Sequence, residues 1–156
     1  MFTFGEVPAY QTEDKFDLGM SDDKRAFTLT FNDLKVTSEA GQPSAAPIAA
    51  HVFSLVLPIE GYGKNLEIEF AVSGTVVTNE HATATLMLSV NGQTSVADFP
   101  ANSDESPVQK LKFTAETASE CRLSLLLLVG RDSNDTSTVA FLNAMAIDAE
   151  ILPRAA

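Results

Sequence analysis

The groups in this chain that could do chemistry are few: His51, His81, Cys121, Tyr10, Tyr62 and 21 aspartates and glutamates. Nucleophilic catalysis needs a base beside a hydroxyl or thiol. His51 stands in phase with Phe53 and Leu55, the position of a core or half-buried ring, and His81 follows Asn79-Glu80 at a strand start, where exposure is expected. No Gly-x-Ser-x-Gly elbow, phosphate-cradling glycine loop or dinucleotide fingerprint occurs. Cys121 is in phase with Leu123 and reads as a small core residue rather than a reactive thiol. The chain is therefore expected not to be an enzyme.

Metal chemistry narrows in the same way. Zinc asks for three or four thiolates or imidazoles, and one cysteine with two distant histidines does not supply them. Calcium accepts carboxylates, amide oxygens and carbonyls. The densest run of such oxygens is Asp132-Ser133-Asn134-Asp135-Thr136-Ser137, so Asp132, Asn134 and Asp135 are the candidate ligands of a structural calcium, without a full EF-hand pattern. Asp22-Asp23 and Asp104-Glu105 are weaker candidates of the same kind. Paired carboxylates across a cleft could hydrolyse glycosides, but the sequence places no two of them together. Flat aromatic faces for a sugar are scarce, with no Trp. Tyr62, between Gly61 and Gly63, is the candidate ligand-binding aromatic; the competing reading is a turn residue folded back on the sheet.

These residues must be positioned by strands. Cys121, Leu123 and Leu125 alternate with Arg122 and Ser124, and from Leu125 to Val129 both faces turn apolar, the mark of a strand covered on both sides. Phe27, Leu29 and Phe31 alternate until Asn32-Asp33, where a bulge or bend is expected. His51, Phe53, Leu55 and Leu57 share a face in a strand that Pro58 is expected to stop, and Gly74 allows a bend after Leu66, Ile68, Phe70 and Val72. Ala84 to Val90 alternate cleanly into Asn91-Gly92, whose residues tolerate the positive φ of a two-residue hairpin turn. Val139, Phe141, Met145, Ile147 and Ile151 mark the expected inner face of the last strand. Ala140, Ala144 and Ala146 then fall outside, where small side chains would let another layer or subunit approach. Residues 37–47 and 100–107 read as loops.

About eight closely spaced strands and no helical period predict one all-β domain over residues 1–156. Its architecture is a two-sheet antiparallel β-sandwich, jelly-roll or Greek-key, with a closed barrel as the alternative. A formal net charge of −11 repels nucleic-acid phosphates and anionic lipid, so no nucleic-acid partner is expected. The opening Met1-Phe2-Thr3-Phe4-Gly5-Glu6 has neither a basic nor a long apolar region of a signal peptide, and no run approaches the roughly 20 apolar residues of a membrane span. A soluble protein, cytoplasmic by default, is expected.

The second half resembles the jelly-roll modules of the galactose-binding and carbohydrate-binding type. The likeness rests on the Ala84-to-Val90 strand with its Asn91-Gly92 turn, on the strands Leu111 to Phe113 and Leu123 to Val129, and on the closing Asn143-Ala144-Met145-Ala146-Ile147-Asp148. It implies non-catalytic binding of a saccharide or other ligand, often with a structural calcium. The first half, Ser21-Asp22-Asp23 into Phe27-Thr28-Leu29-Thr30-Phe31 and then Leu55-Val56-Leu57-Pro58, is similar to a family of small secreted β-proteins of unknown function that typically carry several cysteines. The resulting expectation is a binding module recognising a ligand, saccharide-like or other, or a protein partner through the end loops 42–46, 61–63, 101–106 and 132–137. The alternative is a structural subunit forming a homo-oligomer through sheet faces or edges.

Overall fold

Alternation does become sheet. The computed structural model describes residues 1–7, 12–38, 48–131 and 140–152, and among them eleven strands form two antiparallel sheets. Sheet I has the order β1 (Phe2–Phe4), β4 (Ile48–Gly61), β10 (Glu120–Arg131), β6 (Ala82–Val90), β7 (Gln93–Phe99). Sheet II has the order β2 (Phe16–Met20), β3 (Ala26–Ser38), β11 (Ala140–Ile151), β5 (Leu66–Thr78), with β8 (Asp104–Glu105) and β9 (Val108–Ala115) sharing the far side of β5.

From β3 the chain crosses sheets at every connection: β3 to β4, β5 and β6. It turns the β6–β7 hairpin inside sheet I, then crosses again through β9, β10 and β11. β10 thus inserts between β4 and β6, and β11 between β3 and β5. Eight strands wrapped this way are a jelly roll; β1, β2 and β8 are short additions, which brings the total above the eight expected. The hairpin turn has the positive φ values of 49° at Asn91 and 86° at Gly92.

The core lies between the sheets and follows the alternation. Leu123, Leu125 and Leu127 of β10, Ile68, Phe70 and Val72 of β5, Leu29 of β3 and Ile147 of β11 belong to one buried cluster, all essentially without solvent exposure. Three expectations need correction. First, Pro58 does not stop β4, which runs to Gly61. Its carbonyl accepts from Gly5 N–H at 2.8 Å, and a strand residue points its N–H and C=O at the same neighbour, so the missing donor falls just past the β1 ladder.

Second, the last strand changes phase. Ala140, Leu142 and Ala144 point inward, and then Ile147, Ala149 and Ile151 do, because Met145 is an extra residue where the register slips between Ala144 and Ala146. Phe141 and Met145 therefore lie outside, and the alanines at 140 and 144 inside; Val139 is outside the described residues. The bulge meets Asn32 and Asp33, both exposed, on β3, and Gly74 on β5. Third, Leu126 and Leu128 are not covered on their second side. They face out of sheet I and are half-buried.

The flanks of the sandwich are stitched by side chains. Gln93 of β7 donates to Thr114 O at 2.6 Å and accepts from Thr114 N–H at 3.2 Å, imitating a ladder across to β9, and Gln109 reaches Ser95. On the other flank Asp14 meets His51 Nε2 at 2.8 Å, and Phe4 N–H donates to Lys24 O at 2.8 Å.

Candidate functional site

The strand directions decide which loops share an end. Residues 62–65, the Asn91-Gly92 turn, residues 116–119 and the turn 21–25 lie at one end; residues 79–81 and 100–103 lie at the other, with Ser38, Ile48, Arg131 and Ala140. Thirteen-residue strands put about 40 Å between the ends. Tyr62 is thus separated from loop 101–106 by the length of the sandwich. Segments 42–46 and 132–137, with the calcium candidates Asp132, Asn134 and Asp135, lie outside the described residues. Among the described residues no cluster of His, Cys, Asp or Glu is suited to a metal.

The remaining titratable candidates have structural partners. Asp23 accepts from the Ser21 hydroxyl at 2.7 Å and from Arg25 N–H at 3.0 Å, and these bonds hold its carboxyl below the ordinary range while they fix the turn into β3. His51 is half-buried and held by Asp14. Cys121 is fully enclosed, and burial pushes its thiol from 9.0 up to about 12. A thiol reagent at pH 8 is therefore expected to leave Cys121 unmodified until the protein unfolds; stoichiometric labelling of the native form would contradict the packing. Folding favours the protonated thiol. Its contribution is full below pH 9.0 and is lost as pH rises toward 12, which a series of alkaline melts would register.

Two concave surfaces stand out. The outer face of sheet II carries a shallow groove of about 470 Å³ between the small residues Gly19 and Ala71. Through it runs the cross-strand row Gly19, Thr28, Asp148, Ala71, Lys110, with Thr28 donating to Asp148 at 2.5 Å. Its lining carries charges of both signs, of which Lys112 pairs with Glu67 outside the groove at 3.4 Å.

The second is a pocket of about 410 Å³ at the Tyr62 end. Gly61 (φ +95°) and Asn65 (φ +61°) reverse the chain between β4 and β5, and the Met1 amino group donates to Tyr62 O at 2.7 Å. The turn is closed so tightly that a Cβ on Gly63 would come within 3.2 Å of the Phe2 ring. This leaves the Tyr62 side chain 85% exposed, beside the pocket rather than folded onto the sheet. Phe2, Leu66, Ile151 and Leu152 supply apolar walls. Arg25 donates to Leu152 O at 3.2 Å, tying the end of β11 to the β2–β3 turn, and Lys64 is also in the lining.

No protein-family model matches this chain, and no curated protein matches it. No helix among the described residues is long and apolar enough to cross a membrane. Sequence reasoning found Tyr62 by its glycine flanks. It missed the walls, because positions 2, 25, 66, 151 and 152 meet only through strand order and no local period links them.

Proposed function

We propose that the protein is a non-catalytic jelly-roll binding module that takes a small, largely apolar ligand with one anionic group at the Tyr62 end. The observation that carries this reading is the pocket itself: apolar walls, an exposed aromatic and two cationic side chains in its lining, in a chain of net charge −11. Pockets of roughly 300–1,000 Å³ with apolar walls and a few polar groups are the usual form of small-ligand sites. Glu67 also lines the pocket, but its carboxylate is engaged by Lys112. Arg25 and Lys64 are the cationic side chains in the lining, beside the Met1 amino group that Tyr62 O engages, and they set the preference for an anion. The saccharide and calcium expectations gain no support from this end, whose lining is mostly apolar.

The test uses an aromatic sulfonate, 1-anilinonaphthalene-8-sulfonate, as the probe. Saturable one-to-one fluorescence enhancement is expected. Tyr62→Ala should weaken binding about tenfold, the ~1.4 kcal/mol scale of one lost aromatic contact. Lys64→Ala should weaken the sulfonate but not an uncharged naphthylamine. Unsaturable binding, or affinity unchanged in both variants, would remove the reading.

A further inference from the structure

We infer that the outer face of sheet I is a self-association surface that accepts a second copy of this chain. The face is built in rows. Val52, Leu126, Met87 and Val96 are cross-strand partners, so one apolar stripe crosses β4, β10, β6 and β7. Leu128 and Ile48 extend it toward the next rows, and on the other side Ser54, Ser124, Ser89 and Thr94 form a neutral, short-side-chain row. Val52 (53%), Val96 (55%) and Ile48 (64%) are exposed.

Charge decides the occupant. Among the described residues the stretch between Ile48 and Ser54 on β4 meets only one ionised side chain in its rows, Asp98 at the edge, where the Thr85 hydroxyl donates to it at 2.8 Å. Arg122 begins the charged margin beyond Ser124. The outer face of sheet II instead carries Asp17, Glu69, Lys110, Lys112, Asp148 and Glu150. Two molecules each of net charge −11 repel one another at most approaches. This face is where they can meet with the least charge to confront or desolvate, Asp98 at its edge, and a two-fold arrangement needs the same patch on both copies. Four strands at about 4.8 Å spacing and four rows at about 6.7 Å give roughly 500 Å² per copy. The total, about 1,000 Å², reaches the lower end of specific interfaces and implies a dimer that dissociates on dilution.

Light scattering behind a sizing column, over a dilution series, tests this. The expected mass rises from 16.7 kDa toward twice that value with concentration. Leu126→Glu places two carboxylates in a symmetric interface and should weaken the dimer by about 100-fold or more. Val96→Glu, on the edge strand, should act in the same direction, while Lys110→Glu on the opposite sheet should change little. Protection of Cys121 from thiol reagents reports that each variant is folded. A monomer at every concentration overturns the inference, and so does a dimer indifferent to both sheet I substitutions. Probe binding at the Tyr62 pocket is measured separately, so either conclusion can fail without the other.

Discussion

A Phe53→Ala variant is expected to lose about 4 kcal/mol of unfolding free energy, the middle of the range for removing a fully buried aromatic ring. Phe53 has no exposed surface and is the meeting point of three strands. Its ring lies 4.8 Å from Phe31 at 75° and 5.9 Å from Phe16 at 83°, both edge-to-face. Those partners come from β3 and β2 of sheet II, whereas Phe53 comes from β4 of sheet I, so the cluster pins one flank of the sandwich. Truncation leaves a cavity that rigid strands on both sides cannot close. Since single domains hold roughly 5–15 kcal/mol in total, this is a large share, and for a chain of this size Tm should fall by about 8–16 °C. A Phe31/Phe53 double-mutant cycle should return about 1 kcal/mol of coupling. A loss under 1 kcal/mol by denaturant titration would mean that the rings are not packed as described.

Gly74→Ala is expected to be nearly as damaging, about 3 kcal/mol or roughly 6–12 °C in Tm, although it adds only one methyl group. An added Cβ would stand 2.1 Å from the carbonyl oxygen of Asn143 and 3.2 Å from its carbon. The obstacle is backbone of the central strand of sheet II, not the movable end of a side chain. Room cannot be made without shifting β11, whose Asn143 side chain also accepts from Thr75 N–H at 2.7 Å. Gly74 N–H donates to Pro107 O at 3.2 Å, so β5 is held from the other side too. The control is Gly19→Ala on the edge strand β2, where an added Cβ meets nothing within 4 Å. Equal melting temperatures for the two variants would contradict the close approach.

The same bulge explains where the sequence was legible and where it was not. The strands of β5 and β6 and the first half of β3 could be read because their alternation is uninterrupted, and Asn32-Asp33 announced its break with two adjacent polar residues. β11 gave no such notice. Phe141 beside Leu142, and Met145 beside Ala146, are apolar in either phase, so the one-residue insertion was invisible without the neighbouring register. The two open-faced leucines of β10 misled for a related reason: a run apolar on both faces records hydrophobicity, not what covers it. β8, two residues inside the 100–107 segment that reads as a loop, was too short for a period to speak clearly. As for the pocket, Tyr62 could be singled out from its glycines, but its walls belong to distant parts of the chain that only the jelly-roll wrapping brings together.

That wrapping also sets a timetable. The middle strand of each sheet, β10 and β11, is drawn from the last part of the chain, and Ala26 waits for Glu150 as its partner. While the chain is being synthesised, β3 and β5 have no strand to join them, and neither have β4 and β6. Sheet I cannot be completed until residue 131 is available and sheet II until residue 151, and a product stopped after residue 119 would lack the centre of both. Pairings this distant place folding in the millisecond-to-second range of slow β topologies. Of the eleven described strands, the two made last are the ones that hold the earlier ones together.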